Sequence, residues 1–72
     1  MPNLPGVSGR KTVKALERLG FFFIRQKGSH AMLRRGDRGC VVPMHREINP
    51  WTLHGVLKQA GVSADEFLAA LK

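Results

Sequence analysis

The chain has 72 residues, enough for one domain and one small core, with roughly 60% of the unfolded surface buried on folding. Twelve Lys and Arg against five Asp and Glu give a net charge of +7. The excess sits in residues 1–46, which hold ten basic and two acidic residues against two and three in residues 47–72. Such a balance favours a polyanionic partner, nucleic acid first and an acidic protein second. No apolar run is long enough for a membrane span, no secretory leader is expected, and the single Cys40 excludes an internal disulfide and suits the cytoplasm.

Residues 1–7, with two prolines and a glycine, read as a loosely held lead-in. Ser8 is placed to cap a helix over Arg10–Leu19. Its apolar side is Thr12, Val13, Ala15, Leu16 and Leu19, its polar side Arg10, Lys11, Lys14, Glu17 and Arg18, and Gly20 ends it. The string Ser8-Gly9-Arg10-Lys11-Thr12 is not a nucleotide-binding P-loop, because Gly6 and Gly9 are wrongly spaced for one. Phe21–Gln26 reads as a strand. Its three phenylalanines cannot all point inward, and core or sheet surface is expected for them rather than base-stacking platforms.

Gly28 marks a turn, and Ser29–Arg35 reads as the second strand. Arg35-Gly36-Asp37-Arg38-Gly39 is a tight turn into a third strand, Cys40–Val42, stopped by Pro43. After a connection, Asn49 and Pro50 open a helix whose apolar side is Leu53, Val56, Leu57 and Ala60, with His54, Lys58 and Gln59 facing away, and Gly61 ends it. Ser63 and Glu66 form a capping box for a last short helix, with Val62 and Phe67 as its hydrophobic staple. The class is α+β: helix, three antiparallel strands, helix and short helix, with the helices on one face of the sheet and the other face open.

Little conventional chemistry fits these residues. His30, His45, His54 and Cys40 have no recognised metal-ligand spacing. Of the five carboxylates, Asp65 and Glu66 serve a helix start and Asp37 a turn. Ser29 and His30, neighbours on a strand, point to opposite faces and make no triad. What remains is metal-free acid–base chemistry on RNA, whose 2′-hydroxyl is its own nucleophile. His30 sits among Arg25, Lys27, Arg34 and Arg35, and shares a strand face with Met32 and Arg34. On the residues alone it is a proton-transfer group, a phosphate contact or an ordinary polar strand residue. The candidates to hold RNA are Arg10, Lys11, Lys14, Arg25, Lys27, Arg34, Arg35 and Arg46, and those to support His30 are Ser29, Lys27 and His45.

The run Gly20-Phe21, then Arg25-Gln26-Lys27-Gly28-Ser29-His30, Val42-Pro43-x-His45 and Leu53-x-x-Val56-Leu57-x-Gln59-Ala60-Gly61 resembles the HicA family of bacterial mRNA interferase toxins, from about Ser8 to Leu71. The resemblance implies a fold like a double-stranded-RNA-binding domain and a cofactor-free endoribonuclease in which His30, of Gly-Ser-His, is essential. It also implies a HicB-type antitoxin that blocks the site; any DNA contact is expected only through the toxin–antitoxin complex. The competing class is a non-catalytic RNA-binding module. One position departs from the family pattern: Trp51 stands where the family usually has glycine. It is expected as a partly exposed indole packed over the helix start, with a contact to antitoxin or RNA base as the alternative.

Overall fold

A computed structural model describes residues 4–72 of the chain. The first helix, α1 (Gly9–Arg18), starts where Ser8 leaves the helical conformation and its Oγ accepts the Lys11 N–H at 3.1 Å. Thr12, fully buried, satisfies its hydroxyl by donating to the Ser8 carbonyl at 2.9 Å. At the other end the Leu19 carbonyl is met by the Arg35 guanidinium at 2.7 Å, which also lies over the Phe21 ring, 4.7 Å from its centroid. Phe21 is itself buried and its N–H donates to the Leu16 carbonyl at 3.0 Å, so the strand that follows begins one residue later than the aromatic run suggests.

Three strands, β1 (Phe22–Lys27), β2 (His30–Arg35) and β3 (Arg38–Pro43), form one antiparallel sheet in chain order. Two-residue turns join them, Gly28-Ser29 and Gly36-Asp37. Each turn has a left-handed glycine first (φ +59° and +61°) and no left-handed residue second. This is the type II′ pattern, whose twist matches that of the strands it connects. So tight a second turn leaves Arg38 and Gly39 inside the ladder, opposite Arg35 and Arg34, and β3 is longer than Cys40–Val42.

Helices α2 (Pro50–Ala60) and α3 (Ala64–Ala70) complete the helical layer. Asn49 caps α2 through the Trp51 N–H at 2.8 Å, with Pro50 in the first turn and left-handed Gly61 (φ +72°) at the end. The Ser63–Glu66 capping box is reciprocal, at 3.1 and 3.0 Å. The Ser63 N–H, above all, holds the Glu66 carboxyl below the usual carboxylate range. A carboxylate depressed in the folded state adds stability above its unfolded pKa and loses it as pH falls, so this cap weakens in acid. Val62 and Phe67 are buried as its staple, and Arg18 closes α3 by donating to the carbonyls of Ala70 (2.6 Å) and Lys72 (3.0 Å). Leu16, Ala31, Leu33, Val42, Ile48, Leu53 and Phe67 form the fully enclosed centre. Each of the larger ones contributes about 1.5–3 kcal/mol by burial.

Two further placements differ from expectation. Gln59 does not simply face away: its Oε1 accepts the Val41 N–H at 3.0 Å and closes the outer edge of β3. In the expected loose lead-in, residues 1–3 lie outside those described, but Val7 is buried and its carbonyl accepts the Ile48 N–H at 2.6 Å. Just after it, Gly9 donates to the His45 carbonyl at 2.9 Å and packs directly on Pro43 and Met44. A Cβ there would lie 2.7 Å from Met44 Cα and closer still to the Pro43 carbonyl oxygen, both of them backbone atoms.

Gly9→Ala should therefore destabilise the fold by about 1–3 kcal/mol, the usual toll of overpacking. An unchanged urea midpoint would show that this seat is not tight. Burial pushes the Cys40 thiol up to about 11, so at mildly alkaline pH the native protein should resist alkylation by iodoacetamide and react only once unfolded. Equal rates in the two states would contradict its enclosure.

Candidate nucleic-acid site

Which face of the sheet is free follows from β2. Ala31 and Leu33 are buried beneath the helices, so His30, Met32 and Arg34 occupy the other, open face. Residues directly opposite one another in an antiparallel ladder share a face. Lys27 lies opposite His30, Arg25 opposite Met32, and Phe22 opposite Arg34. Simple alternation along β1 would separate Phe22 from Arg25 and Lys27. They are reunited by a bulge: the register steps from Phe23–Leu33 to Arg25–Met32 with Ile24 as the extra residue. The open face therefore carries three rows, each with at least one cation, and His30 stands in the row beside the turn.

His30 is exposed, between Lys27 on one side and Pro43 on the other. Past the end of the ladder the Met44 N–H donates to the Ser29 carbonyl at 2.6 Å, which draws the segment after β3 alongside His30. The next residue, His45, has its carbonyl fixed by Gly9 at the start of α1. His30 and His45 thereby line one recess of about 500 Å³, with Val41, Pro43, Ile48 and Val56 supplying an apolar lining and Glu47, Asn49 and Thr52 a polar one. Ser29 contributes the turn and its carbonyl. Arg46 is exposed and follows His45 in the chain.

The remaining cations are divided. Arg25 and Arg34 lie on the open face, where Arg25 Nε donates to Met32 Sδ at 3.5 Å and Arg34 Nε to the Gly36 carbonyl at 3.1 Å. Arg10, Lys11 and Lys14 line a separate recess along α1 with Arg18 and Leu71, in the helical layer. Arg35 is on the helix-facing side, engaged with Leu19 and Phe21.

Several features of the site were not visible in the one-dimensional pattern. Asn49 reads as a helix cap, yet it borders the histidine recess together with Thr52. Phe22 is 73% exposed and Trp51 85% exposed. So exposed an indole is not packed over the start of α2. Ser29 and His45 belong to separate sequence motifs, and only the folded backbone brings them together with Met44 and Gly9.

Compared with known proteins, residues 9–62 match the family described as HicA toxin of bacterial toxin-antitoxin. No curated protein matches the chain. The matched span runs from Gly9, which seats α1 on the His45 segment, through the sheet and α2 to Val62. It holds every residue that lines the histidine recess. With well over half of its length inside that match, the chain belongs to the HicA toxin family.

Proposed function

We propose that this toxin is a metal-independent endoribonuclease that cleaves messenger RNA, with His30 as its principal acid–base group, and that a HicB-type antitoxin neutralises it by occupying the same recess. The observation that carries the reading is the pairing of two exposed histidines, His30 and His45, in one recess at the rim of a cationic sheet face. Messenger RNA and such an antitoxin meet in the cytoplasm, which is the proposed location.

The chemistry needs little machinery. Neutral His30 takes the proton of a ribose 2′-hydroxyl, and the 2′-oxygen attacks the adjacent phosphorus. The bond from phosphorus to the 5′-oxygen breaks, and that oxygen takes a proton from His45 in its imidazolium form. The products are a 2′,3′-cyclic phosphate and a 5′-hydroxyl, and no oxidant or cofactor is consumed. Lys27, directly across from His30, offsets the charge that builds on the phosphorane oxygens, and Ser29 holds the turn that sets His30 in place. Arg25 and Arg34 hold phosphates further along the strand. The cations of α1 and Arg46 would meet more distant parts of a long RNA, whereas Arg35 serves the fold first.

The test is cleavage of a single-stranded RNA in the presence of a chelator. His30→Ala should lower the rate by about 10²–10⁴-fold while the protein stays folded and still binds RNA. His45→Ala should also slow the reaction, least on a substrate with a good leaving group in place of the 5′-oxygen. A ribose replaced by 2′-deoxyribose at the cut should block cleavage there. Full activity in His30→Ala would remove His30 from the mechanism, and activity lost on chelation in the wild-type protein would refute the metal-free route. Tight RNA binding with no scission by the wild-type protein would favour a non-catalytic RNA-binding module instead.

A further inference from the structure

We infer that the open sheet face is a track for single-stranded RNA, leading away from the histidine recess, with Phe22 as the platform on which an unpaired base stacks. The inference rests on the RNA reading above and adds the form of nucleic acid that the site accepts and a residue that selects it.

A second recess, of about 370 Å³, is lined from this face by Ile24, Met32, Arg34 and Gly39 and reaches round the outer edge of β3 to Cys40 and Gln59. Val41 lines both it and the histidine recess, so the two adjoin at that residue. Gly39, opposite Arg34, has no side chain to fill the dip. From His30 to Arg34 the strand rises about 13 Å, more than one nucleotide needs. Along that path stand Lys27, Arg25 and Arg34, and at its far end Phe22, 73% exposed and directly across from Arg34. A ring so exposed, interleaved with cations, suits base stacking with the backbone phosphates held alongside.

Two other occupants fit less well. A duplex keeps its bases paired and stacked within the helix and is read by shape, which leaves the Phe22 ring without a partner. A protein strand added to the edge of β1 would meet the Ile24 bulge together with Arg25 and Lys27, features that disfavour edge pairing.

A fluorescent, unstructured 2′-O-methyl oligoribonucleotide cannot be cleaved at its blocked 2′-oxygens, so it reads binding apart from chemistry. Phe22→Ala should weaken its binding to the full chain about 5- to 100-fold. Phe22→Trp should keep the affinity. A duplex of the same sequence should bind more weakly than the single strand and be indifferent to Phe22→Ala. Since Phe22 is largely outside the core, a thermal melt of Phe22→Ala should match that of the wild type. Unchanged single-strand affinity in Phe22→Ala overturns the inference, as does a duplex bound at least as tightly as the single strand. So does wild-type self-association that Phe22→Ala abolishes, since the ring would then face a second copy. Absence of RNA cleavage with Phe22-dependent binding intact would count against the ribonuclease reading alone.

Discussion

The structure is governed by a shortage of cover. One small helical layer can bury one face of a three-stranded sheet but not two, and it is spent on Ala31, Leu33, Cys40 and Val42. The strands farther from α2 receive less of it, and all six residues of β1 are exposed. Everything that is available for recognition follows from this. The face left open is the one on which His30 stands, and the strand left open is the one that brings Arg25, Lys27 and Phe22 beside it. In so small a domain the apolar side chains fix the inside, and the site is built from what they leave outside.

Much of the architecture was legible in the chain because it rests on local chemistry. Ser8, Asn49 and Ser63 cap helices, Gly28 and Gly36 turn hairpins, Gly61 ends α2, and Val62 meets Phe67, all through groups a few residues apart. The parity of His30 with Met32 and Arg34 was legible for the same reason. What escaped was long-range. Arg35 reads as one more phosphate-binding cation, but a carbonyl 16 residues earlier holds it. Gln59 reads as solvent-facing until β3 supplies its partner. The bulge at Ile24 has no glycine to announce it, and a period-two reading puts Arg25 and Lys27 on the wrong face relative to Phe22.

The histidine recess shows the same division at finer scale. Gly-Ser-His points to His30 and the turn before it. The partnership with His45 depends on two backbone hydrogen bonds, from Met44 to Ser29 and from Gly9 to His45, and on a glycine small enough to let α1 touch the end of β3. Backbone contacts of this kind leave no mark in side-chain patterning. They hold an irregular segment as firmly as a strand would, and they keep both imidazoles at the surface while the polypeptide beneath them is fixed.

The Gln59 cap has a consequence for the order in which the protein is made. Synthesis runs from the N-terminus, so all three strands leave the ribosome before α2 does, and for that interval the Val41 N–H has no glutamine to bond. A nascent sheet with an uncapped edge is a template for unwanted pairing. The stretch that contains the three strands, residues 1–46, carries ten of the twelve cationic residues and only two of the acidic ones. The net charge of that half opposes edge-to-edge pairing of two such sheets wherever the Gln59 cap is open.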